Sequence, residues 1–268
     1  MKALQDKCSK EPVWRDNQGD SHAFVPTTLA GEEEAETKHA FYLDCGPLFL
    51  VFAGLLEAHD PMMQDTCAYF RGGPQHQSYR HDTNCWQVPV LEHEMSSCEP
   101  CYSWNVFHSW QAGDRERYLE GMYSLFAGAM SRQTRISCET RGGITGNVFA
   151  SSLAIYLARL AVIDDQLRPD ELHLLRLMPL AWLPPGKRAV FRQVPTEHGL
   201  VTVETRLSSD SRTLEVVYRP QLRSRLSQVW LHIPPVPGLK FVRVNGKKVW
   251  SGGANMVALE SRAPGNQP

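Results

Sequence analysis

The last third of the chain constrains the fold most, because its apolar and polar residues alternate after Pro169. A period of two is typical of β-strands with one buried face. Four segments with this pattern are bounded by turn-forming residues: LVTVETRL, TLEVVYR, QVWLHIP and KFVRVN. The pair Asn245-Gly246, between KFVRV and KKVW, indicates a two-residue hairpin turn. We therefore expect an antiparallel β-domain over residues 171–255, followed by a tail over residues 256–268.

A helical period precedes this region. The segment CGPLFLVFAGLLEAH is apolar almost all round, which is typical of a helix buried on several sides. Asp60 and Asp114 are each placed to cap a further helix, and a fifth helix is predicted in NVFASSLAIYLARLAVIDD. We expect helix pairs joined by long loops over residues 40–170. Residues 1–39 contain few apolar residues and are predicted to be a loosely ordered N-terminal segment.

Composition narrows the classes of partner. The formal net charge is -1, with 28 Lys+Arg against 29 Asp+Glu, so the chain lacks the basic excess typical of nucleic-acid binders. It has neither a secretory signal pattern nor an apolar run long enough to span a bilayer, so we expect no membrane partner and a cytoplasmic location. Seven cysteines, an odd number at irregular spacings, favour reduced thiols.

Several segments together resemble the C-terminal half of a six-hairpin glycosidase: DCGPLFLVFAGLLEA, CEPCYSWNVFHSWQAGDRERYLEGMYSLFAGAMS, SCETRGGITGN and LRLMPLAWLPPG...VNGKKVW. The resemblance implies an α+β multidomain protein, in which helical hairpins of a partial (α/α)6 toroid over residues 40–170 precede an antiparallel β-sandwich over residues 171–255. It also implies hydrolysis of a glycosidic bond. Fewer helices are predicted than a complete toroid contains, so we expect a shortened relative or a fragment.

Three carboxylates are candidates for glycosidic chemistry, which uses an acid and a second carboxylate and needs no cofactor. Glu139 lies in the glycine-containing loop SCETRGGITG, where the resemblance implies a catalytic or sugar-contacting glutamate. Glu139 pairing with Arg141, or capping the next helix, is the alternative. In an extended segment, Glu92 and Glu94 would project to the same side, and either could serve as the second carboxylate. The alternative for this pair is the solvated rim of a loop.

A carbohydrate ligand would need aromatic rings beside planar polar groups, and the region from residue 79 to residue 110 is rich in both. The predicted substrate-binding residues are Asp82, Trp86, Tyr102, Trp104, His108 and Arg141. For some of them a structural role competes with this prediction. Tyr102 falls on the apolar face of its predicted helix, and Asp82 has neighbours typical of an ordinary turn.

Three functions remain open at this point. The first is a glycoside hydrolase acting on a carbohydrate, and the second is a non-catalytic carbohydrate-binding or structural remnant of such an enzyme. The third is a thiol or metal protein built on Cys98 and Cys101, although one CxxC pair more commonly gives buried cysteines than a zinc site. Two carboxylates facing each other across a groove would favour the enzyme, whereas a single carboxylate would favour binding.

Overall fold

The structure is a computed structural model that describes residues 13–15, 19–23, 49–72, 105–128 and 148–260. The chain divides into two compact units, Met1–Ile155 and Tyr156–Pro268. The division falls inside a helix, fifteen residues before the predicted start of the β-domain. None of the described helices combines the length and the apolar character that crossing a membrane would require.

The first unit contains one small hairpin and most of the described helices. Its strands β1 and β2 pair in an antiparallel manner. The elements are β1 (Val13–Arg15), β2 (Ser21–Ala23), α1 (Phe49–Phe52), α2 (Pro61–Gly72), α3 (Asn105–Ala112) and α4 (Arg115–Gly128). Helix α5 (Val148–Val162) begins in this unit and ends in the second one.

Two helix starts agree with the sequence. A carboxylate oxygen of Asp60 accepts a hydrogen bond from the backbone N–H of Met62 at 2.9 Å, and one of Asp114 accepts from Arg117 at 3.2 Å. These bonds satisfy N–H groups that a first helical turn leaves without a partner. Gly113, at φ 75°, ends α3 in the left-handed conformation. Both predicted caps are confirmed.

The second unit is built mainly of strands. It contains β3 (Ile163–Asp164), β4 (Glu171–Leu174), the 3-10 helix η1 (Leu180–Trp182), β5 (Arg188–Thr196), β6 (Gly199–Leu207), β7 (Thr213–Leu222), β8 (Gln228–His232), β9 (Phe241–Val244), β10 (Lys247–Trp250) and β11 (Met256–Leu259). One sheet has the order β10-β9-β7-β6-β5, and the other has the order β11-β8-β4-β3. Each sheet contains one parallel pair, β7 with β9 and β4 with β8.

The alternating segments form strands as predicted. Along β6, Val201 and Val203 are fully buried. Leu200, which lies between the buried residues Gly199 and Val201, is 39% exposed. The predicted hairpin between β9 and β10 is also confirmed. Asn245 and Gly246 have φ values of 49° and 82°, and two consecutive positive values are required by the turn that joins such strands.

The predicted fold class is wrong. The described residues contain five α-helices, which are 4 to 15 residues long, and they do not form a toroid of helical hairpins. The resemblance to six-hairpin glycosidases is therefore contradicted as well. The order of helical segments along a sequence does not determine how they pack. Helix α1 is one example: it has only four residues, and Gly54 follows it in a left-handed conformation at φ 66°.

The β-region also differs from the antiparallel sandwich that was predicted. Both sheets are mixed, and the described residues are rich in β-strand and do not form a partial helical toroid followed by an antiparallel sandwich. Met256–Leu259, in the segment predicted to be a tail, forms the edge strand β11 beside β8. A parallel pair requires a long connection between its two strands, so β4 and β8 are distant in sequence. No local sequence pattern signals a contact of this kind.

Candidate functional site

Most of the residues predicted to form a site lie outside the described part of the chain. These residues are Asp82, Trp86, Glu92, Glu94, Cys98, Cys101, Tyr102, Trp104, Glu139 and Arg141. Their roles therefore stay predictions. His108 is described: it lies in α3 and is 8% exposed. The sugar-binding role of His108 also stays a prediction.

A pocket of about 360 Å³ opens in the second unit. Its wall combines strands of both sheets with the turn between β9 and β10. The lining residues are Tyr218, Pro220, Val244, Asn245, Lys247, Val249, Ala258, Leu259 and Glu260. This volume is within the range of about 300 to 1,000 Å³ that is typical of small-molecule sites.

Asn245 fixes one corner of the pocket. Its side-chain oxygen accepts a hydrogen bond from the backbone N–H of Tyr218 at 3.0 Å, and its amide group donates to the carbonyl oxygen of Tyr218 at 3.0 Å. The backbone N–H of Asn245 also donates to Val216 at 2.9 Å. The turn after β9 is thus attached to β7, and this attachment positions Lys247 at the start of β10.

Tyr218 contributes a buried polar group to the wall. The residue is 7% exposed, and its hydroxyl has no hydrogen-bond partner among the described residues. Burial raises the pKa of this phenol, so the hydroxyl is protonated at neutral pH. Leaving such a group unsatisfied costs about 1–3 kcal/mol. Buried groups of this kind are uncommon in folded proteins.

Two charged side chains complete the lining. Lys247 and Glu260 are exposed, and neither forms an ion pair with any residue that the structure describes. An ammonium group only donates hydrogen bonds, and an ionised carboxylate only accepts them. Pro220, Val244 and Leu259 add an apolar surface to the same wall. The pocket can therefore take a ligand that has both polar groups and an apolar face.

A second polar cluster, the histidine cluster, lies on the four-stranded sheet and consists of Glu171, His173, Trp230 and His232. His173 Nδ1 is 2.9 Å from His232 Nε2, and His173 Nε2 is 3.1 Å from Glu171 Oε2. Trp230 Nε1 donates to the same carboxylate oxygen at 3.2 Å. The described residues contain no group of three His, Cys, Asp or Glu side chains with metal-binding geometry, so we assign this cluster no metal.

Burial sets the protonation of the histidine cluster. It lowers the pKa of His232 to about 3, with smaller contributions from His173 and Arg176 in the same direction. The pKa of His173 is also lowered, mainly by burial, although Glu171 acts in the opposite direction. Both rings are therefore neutral at pH 7. Glu171 requires a hydrogen on His173 Nε2, which leaves His173 Nδ1 to accept a hydrogen bond from His232.

The sequence predicted the turn at Asn245 but none of the pocket residues as a site. Tyr218 lies on β7, Lys247 lies on β10 and Glu260 directly follows β11. Only the parallel pairing of β7 with β9 and the position of β11 place them around one pocket. Comparison of the chain with models of protein families, with curated proteins and with solved structures found no match.

Proposed function

We propose that the second unit is a non-catalytic binding module for a small neutral saccharide, held in the pocket beside Tyr218. One observation carries this proposal: among the described lining residues, Glu260 is the single carboxylate. Hydrolysis of a glycosidic bond by the usual route uses two carboxyl groups on either side of the bond. The lining therefore favours binding over turnover. Hydrolysis through Glu139, Glu92 and Glu94 stays a prediction.

The polar and apolar parts of the pocket support a saccharide as the ligand. A sugar hydroxyl both donates and accepts hydrogen bonds, so it can accept from Lys247 and donate to Glu260. The C–H faces of a sugar ring are apolar and can pack on Val249 and Leu259. The chemical alternative is a zwitterion such as a free amino acid, whose carboxylate and ammonium groups would pair with the same two side chains.

The proposal can be tested by isothermal titration calorimetry of the full chain with a panel of neutral mono- and disaccharides. We expect at least one sugar to bind with a dissociation constant of about 1 mM or lower. Lys247→Ala and Glu260→Gln should each weaken binding about tenfold or more, because a hydrogen bond to a charged group contributes about 1.5–3 kcal/mol. Lys240→Ala, at an exposed lysine that does not line the pocket, is the matched control and should bind like the wild type.

A second variant tests the location of the ligand. Ala258 is exposed and lines the pocket, so Ala258→Leu should fill space without disturbing the core, and it should abolish binding. Unchanged binding by this variant would place the ligand elsewhere and contradict the proposal. Binding of amino acids in the absence of any sugar binding would contradict the saccharide assignment.

We further propose that the protein acts in the cytoplasm. Seven cysteines, an odd number at irregular spacings, support a compartment that keeps thiols reduced. The proposed partner is a carbohydrate, and no nucleic-acid or membrane partner is proposed.

A further inference from the structure

The solvent-facing side of the five-stranded sheet, which we name the basic face, carries an unusual set of charges. In register across neighbouring strands, Cα partners project their side chains to the same side of a sheet. The pairings of β5 with β6, β6 with β7, β7 with β9, and β9 with β10 place one row of five charged residues across the sheet: Arg188, Arg206, Glu215, Arg243 and Lys248. With strand spacings of 4.7–4.9 Å, this row is roughly 19 Å long.

Three more charged residues extend the basic face beside this row. Arg219 and Glu204 alternate with buried residues on β7 and β6 and share the solvent side with the row. Arg192 lies two residues beyond Val190, which pairs with Glu204, and it acts electrostatically on that carboxylate. Six cationic side chains against two carboxylates leave a net charge of +4 on this face, although the whole chain has a net charge of -1.

The carboxylates on the basic face do not neutralise it. Glu204 lies between Arg219 Nη1 at 2.7 Å and Arg188 Nη1 at 3.3 Å. The hydrogen bond from Arg219 lowers the pKa of Glu204, so Glu204 is ionised at neutral pH and is already shared by two guanidinium groups. Glu215 is 3.4 Å from Arg243. Even so, the side chains of Arg188, Arg219 and Arg243 remain 59%, 60% and 52% exposed.

Fold stability does not account for the two like-charge pairs on this face. Arg188 is the cross-strand partner of Arg206, and Arg243 is the partner of Lys248. Like charges directly opposite each other destabilise a sheet. Two such pairs in one row therefore cost stability that a polar neutral residue would not, and an anionic ligand is the kind of partner that would offset this cost.

We propose that the basic face binds a linear anionic polysaccharide through its sulfate or carboxylate groups. Five of the six cations are arginines, and a guanidinium group binds a planar or tetrahedral oxyanion with two parallel hydrogen bonds. A row of such groups fits a chain that presents anions at regular intervals. This surface is distinct from the saccharide pocket, because Tyr218 and Val244 of the pocket lie among the buried positions of β7 and β9.

Other anionic partners fit the basic face less well. Single-stranded nucleic acid binds by base stacking on exposed aromatic rings. Phe241 is the aromatic residue that shares this face in the described strands, and the ammonium group of Lys248 lies over its ring, 4.4 Å from the centroid. A five-stranded sheet is also too wide to enter the major groove of a duplex, which admits a helix or a two-stranded ribbon.

A lipid surface is also disfavoured. Phe241 and Leu200 are the large apolar residues on this face that are most exposed, at 39% each. Their partners on β7 are Thr213 and Gln221, eight residues apart, so the two side chains are separated by roughly 26 Å along the sheet. They do not form one apolar patch that could insert into a bilayer.

The test measures binding of the full chain to heparin, as a sulfated polysaccharide, at several salt concentrations. We expect binding that weakens as salt rises, because released counterions drive such association. The double variant Arg206→Gln/Arg243→Gln should bind at least about tenfold more weakly, and the slope of log Kd against log salt should fall by about 2, one unit for each lost cation. Arg223→Gln/Arg225→Gln, at two exposed arginines in the loop after β7, should leave both quantities unchanged.

Two further measurements complete the experiment. Arg206→Gln removes a like-charge pair, so the melting temperature of the double variant should stay the same or rise, which separates lost binding from lost folding. Glu215→Gln makes the face more positive and should strengthen binding. Absence of heparin binding, or equal binding by the double variant and the wild type, would overturn the proposal. Equally tight binding to polyuridylate RNA or to phosphatidylserine vesicles would overturn the choice of a polysaccharide.

Discussion

His173 and His232 are joined by a hydrogen bond of 2.9 Å between Nδ1 of the first and Nε2 of the second, on the parallel strands β4 and β8. Glu171 extends this contact by accepting from the other nitrogen of His173. Side-chain hydrogen bonds among Glu171, His173 and His232 therefore join β4 to β8, in addition to the backbone pairing of these two strands. It also makes the second unit sensitive to pH.

We predict that stability falls as the pH is lowered from about 6.5 toward 3. The folded pKa of His232 is about 3, below its ordinary value of 6.5, so the unfolded chain binds the proton more readily in that interval. The contribution is fully present above pH 6.5 and is lost on acidification, by at most about 1.4 kcal/mol per pH unit for one histidine. Glu171, Arg168 and Arg176 are the charged groups that act on the pair.

Melting temperatures of the wild type and His232→Gln, measured between pH 7 and pH 4, test this prediction. The variant should lose less stability than the wild type over the interval, because it has one fewer histidine to protonate. His59→Gln removes an exposed imidazole outside the histidine cluster and serves as the control. Parallel pH profiles for the wild type and His232→Gln would show that the cluster does not govern acid stability.

A second prediction concerns the buried ion pair between Arg159 and Asp165. Arg159 Nη1 is 2.7 Å from Asp165 Oδ1, and the carboxylate side chain is fully buried. Asp165 Oδ2 also accepts from the backbone N–H of Glu197 at 2.7 Å. Arg159→Met leaves this buried carboxylate without its cation and should lower the free energy of unfolding by about 3–5 kcal/mol.

Chemical denaturation of Arg159→Met measures that loss. Arg188→Met, which removes an exposed partner of Glu204, should leave the free energy of unfolding nearly unchanged and is the matched control. Similar losses for the two variants would mean that the Arg159–Asp165 pair behaves as a surface pair in spite of its burial.

A third prediction concerns Gly199, the first residue of β6. Its φ is 133°, and a Cβ atom built on it would overlap the carbonyl oxygen of Gln221 on the neighbouring strand. Gly199→Ala should therefore cost backbone strain of about 1–3 kcal/mol and, in addition, the energy of that overlap. Gly238→Ala is the control, because Gly238 also has a positive φ, 78°, but has open space around it. Equal destabilisation by the two variants would contradict the predicted overlap.

Local features of the structure could be predicted from the sequence, and long-range ones could not. The cap at Asp60, the cap at Asp114 and the hairpin at Asn245 each depend on residues within a few positions of one another. Strands β6 to β9 followed from a period of two. The predicted toroid failed because it relied on the order of segments rather than on a contact that the residues themselves specify.

The candidate pocket could not be predicted from the sequence either, because it depends on long-range contacts. Tyr218 and Asn245 are 27 residues apart and meet only because β7 and β9 are parallel. The sequence predicts a tail around Glu260, whereas in the structure this residue directly follows the strand β11. The predicted site residues with described coordinates are limited to His108, so the hydrolase prediction remains untested.

The most direct test of the proposed binding function is a map of backbone amide chemical shifts of the ¹⁵N-labelled full chain during titration with the best-binding sugar from the calorimetric panel. We predict that saturable shifts concentrate at Tyr218, Asn245, Lys247 and Leu259, and that Ala258→Leu removes them. Shifts that are absent at these residues, or that persist in the Ala258→Leu variant, would contradict the assignment of the pocket as a saccharide site.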